Sequence, residues 1–415
     1  MTRGDAGSDR PKCLVLGTGF GSFSLVKGGK RLPLDITVIS PRNHFLFTPL
    51  LASTTVGTLE FRSVIESVRL GQTGEFLLAE AESVDMERRV VTCRGALDKH
   101  AFEAPFDILV IGVGATTHTF GVPGVVDYAL FLKQINDARL IRQRIFECLE
   151  RASIPGLGDE ERNRLLHFVI VGGGPTGVEF AAELHDLAFA ELRKAYPRLI
   201  DYVRITLLDA GSVLLSSYDA TLSEYTKNHF RRQAIDVRFQ SHVVAVKADK
   251  VVLKGGEEIP YGCLIWATGN GTTDFVKALP FEKDAHGRIL IDDFLRVAGY
   301  EGVYALGDCS ALRVEPIPAT AQAAEQQGNY LVKSLAMTLN GRIPPPFRYN
   351  NQGMLAYVGG HSGIADLNHF KGRGFAAFLF WRSVYLTKLV SFRNKVQVLL
   401  DWARTFIFGR EISRM

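Results

Sequence analysis

The chain has 415 residues, too many for one ordinary domain, and its 47% hydrophobic and 22% charged content belongs to a globular protein rather than a disordered chain or a fibre. Forty glycines without a G-X-Y period exclude collagen and point to glycine-rich binding loops, and a net charge of +4 is too small to argue for nucleic acid. The charge is uneven: from Lys371 onward nine Lys or Arg face two acids, a net of +7, which leaves −3 on the first 370 residues. A basic end on a mildly acidic body predicts an anionic surface as partner, membrane lipid first.

The leading stretch Met1–Lys12 carries Asp5 and Asp9 and lacks the apolar core of a signal peptide, so none is expected. Cys13, Cys93, Cys148, Cys263 and Cys309 form no close pair. That spacing predicts a reducing compartment, with no disulfide scaffold, no metal site and no dithiol redox centre. No apolar run reaches about 18 residues, so no membrane-spanning helix is expected.

The first strand is Cys13-Leu14-Val15-Leu16, which runs into Gly17-Thr18-Gly19-Phe20-Gly21-Ser22. Strand, tight turn and helix start are the parts of a dinucleotide fingerprint. Gly17 permits the turn, and Gly19 lets the backbone approach a pyrophosphate at a helix N-terminus. Ser22 stands where a third glycine is usual. A second strand, Asp35–Ile39, ends at Ser40, where an acid usually receives the ribose hydroxyls. Leu109-Val110-Ile111 then enters Gly112-Val113-Gly114-Ala115, an apolar strand with a small-residue turn.

The second loop is complete. His167–Val171 leads into Gly172-Gly173-Gly174-Pro175-Thr176-Gly177, and a helix from Val178 is expected to extend through Tyr196. The following strand, Arg204–Leu208, ends at Asp209. A carboxylate there accepts both ribose hydroxyls of an adenosine and repels a 2′-phosphate, and neither Ala210 nor Gly211 offers a cation. NADH is therefore expected over NADPH. Two such units 155 residues apart imply two nucleotide sites, most economically a flavin and a nicotinamide.

Leu264-Ile265-Trp266 enters Ala267-Thr268-Gly269, and Val303–Leu306 enters Gly307-Asp308. A carboxylate at the C-terminal edge of a parallel strand lies where ligands bind in such sheets, so Asp308 is read either as a flavin ribityl contact or as a turn residue. Gln322 and Gln326 are spaced to share a helix face, either as quinone hydrogen-bonding groups or as a solvated surface. Glu179 follows the second loop, either stabilising the helix dipole or acting near the nicotinamide.

Tyr385, Leu389, Phe392, Val396, Leu399, Ala403 and Phe406 make one helical stripe, with Lys388, Arg393, Lys395 and Arg404 off it. Trp381, Tyr385 and Trp402 suit an interface. The segment reads as lying in a membrane surface, as a core-packing or dimer helix, or as both.

Together Gly17–Gly21, Gly172–Gly177, Ala267–Gly269 and Gly307-Asp308 resemble the two-dinucleotide-binding flavoprotein reductases. Ser40-Pro41-Arg42 through Pro49-Leu50-Leu51, Ala321-Gln322-Ala323-Ala324-Glu325-Gln326-Gln327-Gly328, and the tail segments Phe380–Lys388 and Phe408–Ile412 narrow the resemblance to the type II NADH:quinone oxidoreductases. It implies an α/β fold with two Rossmann-like domains, the NADH domain inserted in the FAD domain, and a C-terminal amphipathic helical docking segment. The expected division is residues 1–130 and 281–345 for FAD, 131–280 for NADH, and 346–415 for the membrane segment.

By that resemblance FAD is held by Gly17, Gly19, Phe20, Gly21, Ser40, Pro41, Arg42, Pro49, Gly114, Ala115, Gly307 and Asp308. NADH is held by Gly172, Gly174, Pro175, Thr176, Gly177, Glu179, Asp209, Ala267, Thr268 and Gly269. Quinone lies beside Ala321, Gln322 and Gln326, and the catalytic set is Glu179, Gln322 and Gln326. The implied reaction moves a hydride from NADH to FAD and two electrons on to a quinone, without proton pumping. The partners are quinone and a membrane surface, with a homodimer as a further expectation and no nucleic acid. The expected place is the cytoplasmic face of a bacterial inner membrane, or else the mitochondrial inner membrane. A ferredoxin-type reductase and a flavin-binding redox sensor are the competing readings.

Overall fold

A computed structural model describes residues 10–69 and 74–412. Asp5 and Asp9, on which the expected lack of a signal peptide rests, lie outside the described residues.

The strands follow in chain order as β1 (Lys12–Leu16), β2 (Asp35–Ser40), β3 (Glu75–Asp85), β4 (Val90–Gly95), β5 (Ala101–Pro105), β6 (Ile108–Ile111), β7 (Leu130–Phe131), β8 (His167–Val171), β9 (Arg204–Leu208), β10 (Asp236–Arg238), β11 (Cys263–Trp266), β12 (Val303–Ala305), β13 (Met354–Gly359), β14 (Ser362–Leu367) and β15 (Phe370–Gly374). The helices that matter here are α1 (Phe20–Gly28), α2 (Leu51–Thr55), α3 (Ile135–Ala152), α4 (Pro175–Leu187), α5 (Ala220–Arg232), α6 (Ala321–Leu339), α7 (Phe375–Lys388) and α8 (Phe392–Phe408).

The chain groups into two compact units. One comprises Met1–Phe45, Glu66–Thr116 and Asn270–Asn351; the other comprises Leu46–Ile65, Thr117–Gly269 and Gln352–Met415. Residues 117–269 thus interrupt the first unit in sequence, as an inserted domain does.

In the first unit the strand order is β12-β6-β1-β2-β3-β4-β5. Pairing is parallel from β12 through β3, and β4 and β5 extend the sheet antiparallel. Val15 lies between Val38 and Val110 in register. β1 is buried from Cys13 to Leu16, because a parallel sheet is covered on both faces, and that is why it reads as an unbroken apolar run. In the second unit five parallel strands run in the order β7-β11-β8-β9-β10. In the parallel part of each sheet the glycine loop sits at the C-terminal end of the central strand, β1 in the first and β8 in the second.

The long helix expected after the second loop is present, but not as a regular one. α4 ends at Leu187, a π-helical turn spans Ala188–Leu192, and Arg193–Ala195 completes the run before Tyr196.

The tail is less continuous than its stripe suggests. β13, β14 and β15 form an antiparallel sheet, and two helices follow. The stripe is broken after Lys388: Ser391 caps a new helix, its Oγ accepting from the Asn394 amide at 3.2 Å. Among the described residues no helix is long and apolar enough to cross a membrane.

Candidate functional site

The two glycine loops share one geometry. Gly17 and Gly172 stand at φ +98° and +116°, and a Cβ on either would overlap a carbonyl, of Gly112 and Ala267 respectively. Gly19 and Gly174 are different: a Cβ at either meets nothing within 4 Å. Each is the N-cap of the following helix, and neither helix has a side-chain cap. The N-termini of α1 and α4 therefore face an open approach at a glycine cap, which suits a pyrophosphate. Pro175 and Thr176 are exposed at the start of α4, and Pro175 at its first position costs no hydrogen bond.

Ser22 does the work of the missing third glycine. It is buried, with Oγ 3.5 Å from the Leu16 carbonyl and 3.4 Å from the Gly112 carbonyl. Gly21 serves helix packing, since a Cβ there would overlap Leu306 and lie 3.0 Å from the Ala324 carbonyl of α6. Phe20 packs edge-on against Phe45 at 4.9 Å.

Ser40 is buried, its hydroxyl 3.2 Å from Thr18 Oγ1 and accepting from the Arg42 amide at 3.2 Å. The Arg42 Nε donates to Thr18 Oγ1 at 3.4 Å, and burial pulls its guanidinium down to about 10. A half-buried cation therefore stands next to the strand end where an acid is usual. Pro41 is exposed beside it, and Pro49 lies in the Thr48–Leu50 turn, in the other unit.

Gly307, at φ +72°, donates its amide to Gln327 Oε1 at 2.7 Å. Asp308 accepts from Asn270 Nδ2 at 3.2 Å. Gly114 and Ala115 follow β6 in the same unit, and Gly114 has open space where its Cβ would stand. A shallow cavity is lined in part by Gly307, Thr320, Ala323, Ala324 and Gln327. Gln327 is a residue the sequence reading passed over. It is 2% exposed and bound to the Gly307 turn, so it fixes the strand end that carries Asp308.

Thr320 caps α6, accepting from the Ala323 amide at 3.3 Å, which puts Ala321 and Gln322 in its first turn. Gln322 and Gln326 are both partly exposed. The Gln326 amide closes a ring with Asn350, donating to its carbonyl at 2.8 Å and accepting from its N–H at 2.9 Å. One of the two Gln326 amide hydrogens is used in that ring.

In the second unit Asp209 sits at the end of β9. It accepts from the Gly173 amide at 2.5 Å and the Gly211 amide at 2.7 Å. A carboxylate has about four lone-pair sites, so two stay available for a ribose. Ala267 is buried after β11, Thr268 donates to the His118 carbonyl at 2.6 Å, and Gly269 is exposed with an open Cβ position.

Glu179 is the fifth residue of α4 and 8% exposed, so it does not reach the free N–H groups of the first turn. The Tyr357 amide donates to its Oε1 at 3.1 Å. Burial pushes its carboxyl up to about 8, against lowering by that amide and by the Trp381 indole. The indole N–H is buried and forms no hydrogen bond of normal geometry. Trp381 stacks among Tyr357, Phe378 and Tyr385, at ring separations of 5.6, 6.2 and 4.9 Å. Trp381 and Trp402 are 3% and 8% exposed, which corrects their reading as interface residues. They are packed inside by rings and by Arg382, whose guanidinium lies 4.6 Å from both Phe378 and Trp402.

The inward face of α8 is mixed, burying Val398 and Trp402 beside Asn394 and Asp401. Asn394 and Asp401 are buried: Asn394 donates to the Ser63 and Ile65 carbonyls, and Asp401 accepts from the Glu60 amide and Ser63 Oγ. Arg404 pairs with Glu60 at 2.5 Å. The apolar stripe faces out, with Phe392 81%, Leu399 49%, Leu400 63% and Phe406 86% exposed. All five cysteines are buried and unpaired, and burial pushes Cys309 up to about 11.

Comparison with known proteins shows the family to which the chain belongs. Residues 11–328 match the profile described as pyridine nucleotide-disulphide oxidoreductase, and residues 351–411 match the NDH2 C-terminal domain. A probable NADH dehydrogenase of Dictyostelium discoideum is 47% identical over 98% of this chain and 91% of its own. An external alternative NADH-ubiquinone oxidoreductase, mitochondrial, of Yarrowia lipolytica is 38% identical over 97% and 80%. The structure of NDH2 from Plasmodium falciparum in complex with NADH superposes with a TM-score of 0.93 at 27% identity, covering 97% of this chain and 100% of that one.

Proposed function

Because the chain belongs to the pyridine nucleotide-disulphide oxidoreductase family and carries an NDH2 C-terminal domain, we propose a residue-level account of a type II NADH:quinone oxidoreductase. The enzyme uses FAD and NADH and reduces a quinone without pumping protons. When bound, FAD takes a hydride equivalent from NADH and passes two electrons to quinone.

The first unit holds FAD. Gly19 and the N-terminus of α1 receive its pyrophosphate, Arg42 supplies a cation at the adenosine end, and Asp308 meets the ribityl chain. Ser40, Pro41, Gly114, Ala115 and Gly307 shape the cradle. In the second unit Gly174, Pro175, Thr176 and α4 receive the NADH pyrophosphate. Asp209 takes the ribose hydroxyls, and Ala267–Gly269 line the nicotinamide end. The observation that carries both assignments is the paired geometry of Gly19 and Gly174, each open and each capping a helix that no side chain caps.

Ala321, Gln322 and Gln326 bind quinone. Neutral amides suit a ligand that needs hydrogen bonds and no fixed charge. Reducing a quinone to a quinol takes two electrons and two protons; NADH brings the electrons and one proton as a hydride, one proton comes from solution, and Glu179, whose carboxyl burial pushes up to about 8, is placed to hold a proton. The four-part division at residues 130, 280 and 345 belongs to this account.

The outward apolar stripe of α8 docks on a membrane, where a quinone is dissolved, with Lys388, Arg393 and Lys395 toward lipid head groups. A homodimer through the same helix is a second use of the stripe. The enzyme is peripheral, on the cytoplasmic face of a bacterial inner membrane or on the mitochondrial inner membrane. Relatives whose names say mitochondrial support the latter.

The test is steady-state oxidation of NADH and NADPH by the FAD-loaded protein, with a short-chain quinone and ferredoxin as alternative acceptors. Quinone reduction with NADH supports the reading. Flavin reduction with turnover only on ferredoxin overturns it in favour of the ferredoxin-type reductase.

A further inference from the structure

Glu179 has a companion one helical turn later. Glu183 is 3% exposed, and Ser53 Oγ donates to its Oε1 at 2.6 Å while Thr58 Oγ1 donates to its Oε2 at 2.8 Å. Its counter-charge comes from the far end of the chain. Arg410 follows α8 by two residues, and its Nη2 lies 3.4 Å from Glu183 Oε2. Its Nε donates to Thr58 Oγ1 at 2.9 Å, and its Nη1 lies 3.6 Å from Glu191. The next residue is pinned as well: Arg142 Nη2 of α3 donates to the Glu411 carbonyl at 2.8 Å. Gly57 makes room for that contact, since a Cβ there would sit 3.2 Å from Arg142 Nη2 and 3.3 Å from the Glu411 carbonyl. Residues 410–411 therefore form a strap drawn into the base of α4.

Two hydroxyl donors and one guanidinium compensate the buried Glu183 carboxyl. Without the guanidinium it is an uncompensated buried charge, which is costly and favours protons on every carboxyl nearby. The remaining charged and titratable groups around the pair do not replace Arg410. Tyr218 and Tyr385 direct their hydroxyls to the Leu355 carbonyl, at 3.1 and 3.3 Å. Tyr357 gives Glu179 its amide and donates its hydroxyl to Asp186, which also accepts from the Gly360 amide and lies 3.4 Å from His185. Arg382 acts on Glu183 only at a distance.

We propose that Arg410 is a positioning residue for the quinone reaction: by setting its guanidinium against Glu183, one turn below Glu179, it fixes α4 and sets the field in which Glu179 gives and regains its proton. This rests on the proton-handling reading of Glu179.

The experiment is the pH profile of short-chain quinone reduction by the full-length, FAD-loaded enzyme, with infrared titration of the buried carboxyl band in the absence of substrates. Glu179→Gln removes the alkaline limb. Arg410→Gln moves that limb and the infrared midpoint upward by about 0.5–1 pH unit, because a cation is lost. Arg410→Lys restores most of the shift. Glu183→Gln moves the limb downward, because an anion is lost, and keeps the test open should Arg410→Gln fail to fold. Folded, flavin-loaded Arg410 and Glu183 variants whose limb and midpoint stay in place overturn the inference and leave the Glu179 reading standing. A limb that survives Glu179→Gln overturns both.

Discussion

The backbone amide of Tyr357 donates to the Glu179 carboxylate across 3.1 Å, joining the first strand of the C-terminal sheet to the helix that follows the second glycine loop. The bond spans 178 residues of sequence. It places the one acid on α4 whose carboxyl burial pushes up to about 8 beside the C-terminal rings.

A pH signature in stability follows. In the unfolded chain Glu179 titrates near 4.5, and in the fold near 8. The folded state therefore binds the extra proton between those values, and stability falls as pH rises through that window. The contribution is full below the unfolded value and is lost by about pH 8, at roughly 1.4 kcal/mol per pH unit. Glu179→Gln removes that slope. Thermal unfolding of the two proteins from pH 4.5 to 9 measures it, and parallel curves would contradict the burial argument.

Valine at Gly174 or Gly19 separates the two nucleotide sites. Both positions have ordinary φ values, −75° and −76°, and open Cβ directions, so both variants fold. Gly174→Val keeps its flavin and raises the KM for NADH by about tenfold or more, equivalent to ~1.4 kcal/mol of binding. Gly19→Val is purified with little flavin. Flavin absorbance per chain and NADH kinetics read both outcomes.

Asp209 is predicted to set the preference between the two nicotinamide nucleotides. Asp209→Asn keeps one of the two hydrogen bonds from Gly173 and Gly211, because only its carbonyl oxygen accepts, and removes the charge that repels a 2′-phosphate. The NADPH-to-NADH ratio of kcat/KM rises by about tenfold, a change of ~1.4 kcal/mol in discrimination. An unchanged ratio would place the discrimination elsewhere.

The outward stripe of α8 gives a prediction with opposite signs for stability and docking. Phe392→Ser and Phe406→Ser alter side chains that are 81% and 86% exposed, so unfolding free energy shifts by less than about 0.5 kcal/mol. Co-sedimentation with anionic vesicles falls several-fold, because the apolar area that would enter the membrane is lost. Asn394→Ala does the reverse: it removes buried bonds to the Ser63 and Ile65 carbonyls, and stability drops by about 1–3 kcal/mol.

What the sequence makes legible is local. Gly172–Gly177 and Asp209 lie within one strand-loop-helix-strand unit, and the chemistry of that unit is written in consecutive residues. The two sheets could be expected for the same reason, since buried parallel strands leave apolar runs beside their loops. Gln327 was within reach, standing between Gln326 and Gly328 on the buried face of α6, but its partner Gly307 lies 20 residues away and no spacing rule links them. The surround of Glu179 and the strap at Arg410 were not readable. Their contacts join residues 178 and 227 positions apart, and only the folded chain brings such pairs together. The tail stripe was read as one helix, but the chain breaks it after Lys388, and periodicity does not say which face turns inward. In α8 the inward face is mixed: Val398 and Trp402 are buried with Asn394 and Asp401, which, with Arg404, find backbone and acid partners in residues 60–65.

The most direct test of the central claim is an anaerobic two-step mixing experiment on the FAD-loaded enzyme. NADH is mixed first and bleaches the flavin absorbance, with NADPH much slower; a short-chain quinone is mixed second and restores the absorbance at least as fast as steady-state turnover. A flavin that NADH reduces but quinone leaves reduced would keep the two nucleotide units and contradict the quinone site at Ala321, Gln322 and Gln326.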